Sequence, residues 1–309
     1  MHLLIPFAAP LSEAGRAAQR SLQLPWLQAL VARLQQQHFD GGDEWGFSPP
    51  HERALARALG WSGADGLLPW AARAAAADGI AVGERAWAQL SPAHWHLGTD
   101  QVSLVDPARL LLDETTSRSF FDAVQTLFTS EGYTLVYGHA TRWYIAHDSL
   151  ATLPTASLDR VIGRNVDRWL GKEPGLRRLR RLQGEVQMLL YTHPLNDRRI
   201  AQGLLPVNSF WLSGCGVLQA EQGPAPTVDD RLRAPAMADD WAAWVQAWQT
   251  LDDGPLAALL GQARAGQPVQ LTLCGERAAV TLALQSRSLL QRLRTRLAPT
   301  PWAALMETL

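Results

Sequence analysis

Strand-like segments lie near both ends of this 309-residue chain, and a stretch of different character separates them. The segment "HLLIPF" (2–7) opens the chain, and "PVQLTLCGE" and "AAVTLALQ" stand near its end. Helical sequence accompanies these segments, whereas the middle of the chain carries strand pairs around one helix. Alternating helices and strands favour an α/β sheet, and strand pairs around a helix favour a compact α+β unit. The order therefore predicts an α/β core at 1–70 and 166–309, interrupted by an inserted α+β domain at 71–165.

Local patterns predict the individual elements. Residues 11–37 are expected to be helical in two pieces divided at Pro25, and 113–132 is expected to be a capped amphipathic helix. The segment "YTLVYGHATRWYIAH" is typical of a hairpin that turns at "GHAT". A long helix follows, whose apolar stripe consists of Leu176, Leu179, Leu182, Val186 and Leu190. The segment "SLLQRLRTRL" (288–297) predicts a last helix.

The charge balance and the cysteine count narrow the environment and the partners. A formal net charge of −1 provides no field that would attract nucleic acid or an anionic membrane surface. No apolar run is long enough for a membrane span, and the amino-terminal run lacks the basic segment of a signal peptide. Two distant cysteines make neither a disulfide framework nor a zinc pattern. These features predict a soluble cytoplasmic protein that binds neither nucleic acid nor membrane.

The densest group of candidate ligand-binding residues is "PAHWHLGTD", which contains His94, His96 and Asp100. Residues two apart on a strand point to the same face, so both imidazoles could contact one ligand. Two imidazoles and a carboxylate could also hold a metal. The simpler interpretation is a strand edge with ordinary polar side chains.

Three further patterns each have a chemical and a structural interpretation. Arg142 follows a hairpin turn and could bind a phosphate or carboxylate through two hydrogen bonds, or form an internal ion pair. The run "RRLRR" (177–181) could attract nucleic acid, but its arginines flank the apolar stripe, which favours a solvated helix face. Trp241, Trp244 and Trp248 share one helix face, which favours core packing.

Motifs that would identify an enzyme directly are missing. The sequence has no Gly-x-Ser-x-Gly elbow, no phosphate-binding P-loop and no Gly-x-Gly-x-x-Gly fingerprint. Cys215 in "SGCG" could be a nucleophile, but no histidine follows it in the sequence. Such a role would need a histidine that the fold brings close to the thiol.

The stretch "NDRRIAQGLLPVNSFWLSGCG" (196–216) resembles a segment of the archaeal-type, cofactor-independent phosphoglycerate mutases. That segment reads Asn-x-x-Arg, a short connector, and then Ala-Asn-x-x-Trp-x-x-Gly-x-Gly. The residues in register are Asn196, Arg199, Gly203, Asn208, Trp211, Gly214 and Gly216. Further matches in the same order are "LPWLQALVARL", "ADGIAVGERAWAQLSPAHWHLGTDQVSLVDP" and the hairpin "EGYTLVYGHATRWYIA", which is similar to one with a Gly-His-Arg motif.

The resemblance implies a fold and a chemistry. The family has an alkaline-phosphatase-like α/β core with an inserted α+β cap domain, and two divalent metals and a serine that becomes phosphorylated carry out the reaction. In this chain the counted position of that serine falls on His51, while Ser48 would need a shift of register. Arg142 is the one cap arginine that carries over.

Most of the family's metal-binding residues are replaced in this chain. Pro6–Phe7 stands where the family has an Asp after its first strand, and Cys274–Gly275 stands where an Asp-His pair would close a late strand. Asp240 is followed four residues later by Trp244 instead of a histidine. No histidine occurs after His193, although a two-metal site of this kind takes imidazoles from the carboxy-terminal half of the core.

Three hypotheses follow from these patterns. In the first, the protein has lost the metal site, uses no cofactor and is not an enzyme, and a small anionic ligand or a protein binds in the cleft between core and cap. Its ligand-binding residues would be Arg142, His94, His96, Asp100 and Asn208. In the second, the protein is an active phosphoglycerate mutase or phosphomonoesterase with His51 or Ser48 as nucleophile. In the third, it is a protein-interaction scaffold that exposes some of its 13 tryptophans.

Overall fold

The computed structural model describes residues 1–170, 174–284 and 302–309. These residues form two compact units. The first unit comprises Met1–Glu44, Pro49–Gly60 and Glu221–Leu309, and the second comprises Trp45–Ser48 and Trp61–Ala220. The helix predicted at 288–297 lies outside the described residues.

A mixed sheet forms the centre of the first unit. Its strands are β1 (His2–Ile5), β2 (Gln35–Asp40), β9 (Thr227–Val228), β10 (Gln270–Cys274) and β11 (Ala279–Ala283). Within the described residues they lie in the order β2-β11-β10-β1-β9. β1 is parallel to β9 and β10, whereas β11 is antiparallel to β10 and β2. The strands predicted near the two ends of the chain are thus confirmed and meet in one sheet.

Helices pack on both faces of this sheet, which makes the first unit an α/β structure. The helices on one face are α1 (Glu13–Ser21), α2 (Pro25–Val31), α10 (Trp241–Leu251), α11 (Ala257–Arg264) and α12 (Trp302–Met306). The short α9 (Arg233–Met237) packs at the edge of the same core. The other face is covered by α3 (Pro50–Ala58), whose Ala54 packs against Leu4. Leu3 and Ile5 pack against the larger group of helices, whereas Leu4 packs against α3 on the opposite face. The reason is that side chains alternate between the two faces of a strand.

The predicted tryptophan face of α10 is confirmed. Trp244 and Trp248 are fully buried in the larger core, and Trp241 packs against its edge. The amino-terminal helical prediction is correct for two pieces but wrong at its end. Residues 35–37 belong to strand β2, which pairs with β11 as the outer strand of the described sheet. Glutamine favours helix by itself, but pairing with a strand distant in sequence overrides that preference.

The second unit contains an antiparallel sheet and a small separate ribbon. The sheet strands are β3 (Ala86–Ala93), β6 (Thr134–His139), β7 (Arg142–Ala146) and β8 (Ser209–Val217), in the order β6-β7-β3-β8 among the described residues. The ribbon consists of β4 (Trp95–Leu97) and β5 (Val102–Leu104). The hairpin predicted at 133–147 is confirmed as β6 and β7.

Helices cover both faces of the second sheet as well. On one face lie α5 (Glu114–Ser130) and α7 (Pro174–Tyr191), and on the other lies α4 (Trp70–Ala77). The short α6 (Leu158–Val161) and α8 (Pro194–Ala201) complete this unit's helices within the described residues. Asp113 caps α5 by accepting from the N–H of Thr116, which confirms the predicted capped helix.

The division into units differs from the predicted boundaries, because the second unit runs from Trp61 to Ala220 rather than from 71 to 165. The apolar stripe of α7 packs with α5 and β8 in one core. β8 in turn pairs with β3 along most of its length. The stretch that resembles the phosphoglycerate mutases therefore lies in the second unit.

Most of the 13 tryptophans are at least partly buried. Trp26 and Trp45 are the two that are classed as exposed, with exposed fractions of 38% and 42%. A docking surface built from exposed tryptophans, as in the third hypothesis, would therefore contain two of them, Trp26 and Trp45. None of the helices among the described residues has the length and hydropathy needed to cross a membrane.

Candidate functional site

Three of the predicted ligand-binding residues meet at the base of the β4–β5 ribbon. His94 and His96 flank Trp95 in the sequence, and the centroids of the two imidazole rings are 6.4 Å apart. Asn208 Nδ2 donates to the carbonyl oxygen of Trp95 at 2.9 Å, and Asn208 Oδ1 accepts from the Trp95 N–H at 2.7 Å. Asn208 therefore clamps the start of the ribbon, while Asp100 is exposed in the turn that joins the two ribbon strands.

His94 has a defined tautomer in its neutral form. Its Nδ1 lies 2.9 Å from the carbonyl oxygen of Pro206. Because a carbonyl oxygen only accepts, the proton is on Nδ1 and Nε2 is left as an acceptor. Within the described part of the chain, no group of three His, Cys, Asp or Glu side chains could hold a metal. The histidine pair therefore forms a polar wall without a third metal ligand among those residues.

Arg142 forms the internal ion pair that the sequence left as one of two interpretations. Its Nη2 donates to Asp78 Oδ1 at 2.7 Å and its Nε donates to Asp78 Oδ2 at 3.3 Å. The hydroxyl of Tyr144 donates to the same carboxylate at 2.7 Å. The guanidinium is thus neutralised by a side chain of the protein, and an anionic ligand at Arg142 would have to displace Asp78.

We expect Asp78→Asn to lower the free energy of unfolding at pH 7 by about 1 kcal/mol, the size of a partly exposed ion pair. Burial raises the pKa of Asp78, but hydrogen bonds from Arg142 and Tyr144 outweigh burial and hold that pKa below its usual value. A lowered pKa stabilises the fold above the unfolded-state pKa, and this contribution is lost as the pH falls through the folded-state pKa. The difference between wild type and D78N should therefore close below about pH 4.

Urea denaturation of both proteins between pH 2 and pH 7 measures that difference. Asp122→Asn is the matched control, because Asp122 is an exposed carboxylate on α5. A constant difference between wild type and D78N over the whole range would contradict the expected role of the ion pair.

The two alternative nucleophiles occupy different environments. Ser48 is 2% exposed, and its Oγ accepts from the N–H of Gly66 at 2.9 Å. The carboxylate of Asp65 accepts from the Ser48 N–H at 2.7 Å and from the Phe47 N–H at 2.8 Å, so it fixes this turn. His51 is in the first turn of α3, with its ring centroid 5.2 Å from that of Phe7. Burial gives the Ser48 hydroxyl a structural role in this conformation.

Apolar or structural residues occupy the ends of the parallel strands β1 and β10. After β1, the carbonyl oxygen of Phe7 accepts from Trp244 Nε1 at 3.0 Å. At the end of β10, Cys274 is fully buried and its carbonyl oxygen accepts from the Ala8 N–H at 2.8 Å. Asp240, the counterpart of a family metal ligand, instead caps α10 by accepting from the Ala243 N–H at 2.9 Å. The residues at these positions thus serve packing and helix capping.

Cys215 is not placed to act as a nucleophile. The side chains of Cys215 and Cys274 are both fully buried. Burial raises the pKa of the Cys215 thiol to about 12, and it also raises the pKa of the Cys274 thiol. A thiol reacts as its thiolate, so both cysteines should be inert in the folded chain.

We expect the folded protein to react with Ellman's reagent at neither cysteine, and the protein in guanidinium chloride to react at both. Titration of the released thionitrobenzoate counts the thiols. The single variants Cys215→Ala and Cys274→Ala assign each reactive thiol in the denatured chain. Rapid labelling of native Cys215 would contradict its burial.

The aligned residues Asn196 and Arg199 have structural roles. Asn196 Nδ2 donates to the carbonyl oxygens of Leu190 and Val207 at 2.8 Å each, and its Oδ1 accepts from the Val207 N–H at 2.9 Å. Arg199 donates to the carbonyl oxygens of Leu110 and Leu205. Both side chains are 4% exposed. They satisfy backbone acceptors around α8 and do not project toward an open site.

A shallow pocket lies beside β8 in the second unit, and its volume of about 450 Å³ includes open solvent. Its described walls come from 154–156, from Trp169 and Leu170, from the 176–183 part of α7, and from Phe210–Leu212. Trp169, Leu179 and Trp211 give the lining a mainly apolar character. A concave apolar lining with a few polar groups is the usual form of a small-ligand site.

Polar groups stand at defined places in this pocket. Among the described residues that line it, Arg180 carries a charge and none is a carboxylate. Arg180 is exposed and donates to the carbonyl oxygen of Leu170, and Gln183 Nε2 donates to the carbonyl oxygen of Phe210 at 3.0 Å. Trp169 Nε1 is buried and has no hydrogen-bond partner among the described residues. The indole donors of Trp61, Trp70, Trp95 and Trp248 share this condition, so the Trp169 donor does not by itself indicate a ligand.

An arginine lies against the aromatic pair formed by Trp45 and Trp169. The ring centroids of Trp45 and Trp169 are 5.9 Å apart. The guanidinium carbon of Arg168 lies 4.1 Å from the centroid of the Trp45 ring, a cation–π geometry.

The pocket joins residues that the sequence did not group together. Trp211 belongs to the segment that resembles the mutases and Arg180 belongs to the basic run 177–181, but neither pattern indicates a shared site. The available signal was the excess of tryptophans, which permitted either core packing or a ligand platform. Trp169 and Gln183 carried no signal of their own, because the pocket depends on the packing of α7 beside the outer edge of β8.

Comparison with known proteins gives distant structural likenesses. No family model matches the chain, and no curated protein matches it. The cofactor-independent phosphoglycerate mutase from Thermoplasma acidophilum DSM 1728 is 13% identical, with a TM-score of 0.36 and coverage of 93% of this chain and 90% of that chain. The PH0037 protein from Pyrococcus horikoshii is 12% identical, with a TM-score of 0.45 and coverage of 92% and 87%. At these scores neither likeness carries an argument about this chain.

Proposed function

We propose that this protein is a non-catalytic relative of the phosphoglycerate mutases, with an alkaline-phosphatase-like fold, that binds a small anionic ligand with an apolar body. The observation that carries the binding function is the pocket beside β8, where Arg180 lies at a mainly apolar lining. The ligand's anionic group would contact Arg180, and its apolar part would contact Trp169 and Leu179.

Two features support the loss of catalysis. Phe7 follows β1 and Cys274 ends β10, at positions where the resemblance requires metal-binding residues. The hydroxyl of Ser48 is buried and already accepts a hydrogen bond. A phosphotransfer site needs an accessible nucleophile and cations beside it, because positioning and charge neutralisation supply most of the catalysis.

The predicted anion contact at Arg142 becomes secondary in this proposal, because Asp78 already neutralises that guanidinium. His94, His96 and Asn208 remain a polar wall at the ribbon, with Asp100 exposed at its turn. Arg180 lies at the pocket and donates to the carbonyl oxygen of Leu170.

The catalytic alternative is tested by turnover. The protein is assayed with Mn²⁺ for mutase activity in a coupled assay and for hydrolysis of p-nitrophenyl phosphate, beside Ser48→Ala and His51→Ala. We expect wild type to give the rate of the buffer in both assays. Activity that is lost in either variant would establish that residue as necessary and overturn the non-catalytic proposal.

The binding function is tested with 8-anilinonaphthalene-1-sulfonate, which combines an aromatic body with one anionic group. We expect saturable fluorescence enhancement in wild type and at least fivefold weaker binding in Arg180→Gln. The matched control is Arg177→Gln, because Arg177 is an exposed arginine of the same helix that does not line the pocket. Circular dichroism confirms that each variant is folded. Equal binding by wild type and R180Q would contradict the assignment of the pocket.

A further inference from the structure

The strand β6 is the outer strand of the described second sheet, at the edge opposite β8. The direction of its backbone follows from the pairing of β7. The N–H of His147 donates to the carbonyl oxygen of Ala86, and the two residues continue the β3–β7 register by one step. Because backbone direction alternates along a strand, the preceding residue Ala146 faces β6, where it lies opposite Thr134. Thr134 therefore directs its backbone groups toward β7.

The same alternation turns Leu135 and Tyr137 toward the outer edge of β6. The register shift in the β6–β7 pairing comes after Tyr137, so it does not disturb these two positions. Among the described residues, nothing hydrogen-bonds to the N–H or the carbonyl oxygen of either one. At Tyr133, by contrast, the N–H already donates to the carbonyl oxygen of Phe128. Leu135 and Tyr137 thus present the donors and acceptors that an added strand uses.

The short segment 134–137 lacks the features that commonly prevent such pairing. It reads Thr-Leu-Val-Tyr and contains neither a proline nor a charged side chain. Proline and charged side chains are the devices that native proteins often place on exposed edges. An added strand is therefore not obstructed by the side chains of β6 between these positions.

The helix α5 lies over this edge and runs antiparallel to β6. Near its start, Glu114 accepts from the hydroxyl of Tyr137 at 2.7 Å. Near its end, Phe128 contacts Tyr133 with ring centroids 6.3 Å apart. Between these contacts, the guanidinium carbon of Arg118 lies 4.0 Å from the centroid of the Tyr137 ring. Arg118 is therefore level with Tyr137 along the strand.

Arg118 and Asp122 lie on the side of α5 that faces the outer edge of β6. Ser117 and Phe121 contact Trp143 of β7. Arg118 and Asp122 each follow one of these residues, and one residue corresponds to about 100° of rotation around a helix. Arg118 contacts β6, so this rotation leads from β7 toward the outer strand. Both charged side chains are exposed.

The spacing of the two charges matches the spacing of the two outward residues. Asp122 lies about 6 Å beyond Arg118 along the helix axis. Leu135 lies about 7 Å from Tyr137 along the strand in the same direction. The edge therefore carries a positive charge level with Tyr137 and a negative charge level with Leu135.

We propose that β6 pairs with β6 of a second copy of this chain, antiparallel about a two-fold axis at Val136. Leu135 pairs with the partner's Tyr137, which uses the outward backbone groups of both copies. The same axis brings Arg118 beside the partner's Asp122, and the symmetry repeats this ion pair. Such self-complementarity is what a two-fold interface requires, so it favours a second copy over an unrelated strand. The inference goes beyond the proposed ligand binding and does not depend on it.

Analytical ultracentrifugation measures the association. We expect the mass of wild type to rise from that of one chain toward that of two as the concentration is raised through the micromolar range. Arg118→Glu and Asp122→Arg should each weaken the dimer at least tenfold, because like charges then meet across the axis. The double variant R118E/D122R restores opposite charges and should associate within threefold of wild type. Denaturation experiments on Asp122→Asn are run below these concentrations, where the monomer prevails.

The matched control is Arg198→Glu, which reverses the charge of an exposed arginine on α8 and should leave the association unchanged. Circular dichroism confirms that each variant is folded. Amide hydrogen exchange followed by NMR locates the contact. The N–H groups of Leu135 and Tyr137 should exchange at least tenfold more slowly in the dimer than in the monomer. The N–H of Thr134 faces β7 and should be protected in both.

Three results would overturn the inference. The first is a wild-type chain that stays monomeric over the whole concentration range. The second is a dimer that tolerates both single charge reversals, because its contact would not include α5. The third is a dimer in which the Leu135 and Tyr137 amides exchange as fast as in the monomer, because its contact would not include the edge of β6.

Discussion

Replacement of Asp252 by alanine is expected to lower the free energy of unfolding by about 2–4 kcal/mol, because it removes the acceptor at the start of α2. Asp252 Oδ1 accepts from the Leu27 N–H at 2.7 Å, and Oδ2 accepts from the Trp26 N–H at 3.1 Å. Asp252 is 225 residues away from Leu27 in the sequence, and it is only 2% exposed. It acts as a helix cap supplied by another part of the chain.

The helix has no local substitute for this cap. Leu24 at the N-cap makes no side-chain capping bond, and Pro25 at the first helical position has no N–H. The first donors that need an acceptor are therefore Trp26 and Leu27. Leu27 is fully buried, so water cannot replace the carboxylate there, whereas Trp26 is 38% exposed. Most of the lost stability should come from the buried N–H of Leu27, which is left without an acceptor.

Calorimetry or urea denaturation measures the effect, and Asp253→Ala is the matched control. Asp253 is the adjacent carboxylate and is exposed, so its removal should change stability by less than about 0.5 kcal/mol. Equal effects of the two substitutions would show that the cap contributes little. Asp252→Asn keeps one acceptor oxygen and should recover part of the loss.

The pH dependence separates wild type from D252N. Burial raises the pKa of Asp252 despite the two N–H bonds that oppose the shift. A raised pKa gives a contribution that is fully present below the unfolded-state pKa of about 3.9 and is lost as the pH rises through the folded-state pKa. Wild type should therefore lose stability relative to D252N as the pH rises above about 4. The opposite trend would contradict this assignment.

Gly214→Ala is the second substitution with a large expected effect, about 3 kcal/mol. Gly214 has φ +68°, a left-handed conformation that costs an alanine about 1–2 kcal/mol. An added Cβ would also lie 2.8 Å from the backbone nitrogen of Ala71 in α4. Backbone cannot move aside as a flexible side chain can, so the strand or the helix must shift.

Gly203→Ala separates the two causes. Gly203 has φ +73°, but no described atom lies within 4 Å of an added Cβ. Its substitution should cost about 1 kcal/mol from the backbone conformation alone. Urea denaturation of the two variants gives the difference. If G203A destabilises as much as G214A, the close approach of β8 to α4 is not what requires glycine at 214.

Gly203 and Gly214 both belong to the stretch that resembles the phosphoglycerate mutases. The structure explains why several residues of this stretch are needed for folding. Gly214 and Gly216 let β8 approach α4 and Pro69 closely, as expected for small residues in a crowded strand. Asn196 and Arg199 satisfy backbone carbonyls around α8. These residues therefore maintain the second unit, and their presence says little about catalysis.

Local physical chemistry was readable in the sequence. The apolar stripe of α7, the capped helix α5 and the hairpin of β6 and β7 follow from side-chain periodicity and turn residues, which act over a few positions. The apolar residues Phe7 after β1 and Cys274 at the end of β10 are likewise a property of the sequence. Both kinds of feature are fixed by residues that are close together in the chain.

Tertiary structure alone decided the partners. The carboxylate that pairs with Arg142 is 64 residues away at Asp78, and the cap of α2 is 225 residues from Leu27. The glutamines of β2 are in a strand because they pair with β11. The helix α7 and the strand β8 belong to the second unit because their apolar side chains pack in its core. The pocket beside β8 arises from the same packing. Such contacts depend on the energy of burial and pairing between distant segments, which no local pattern encodes.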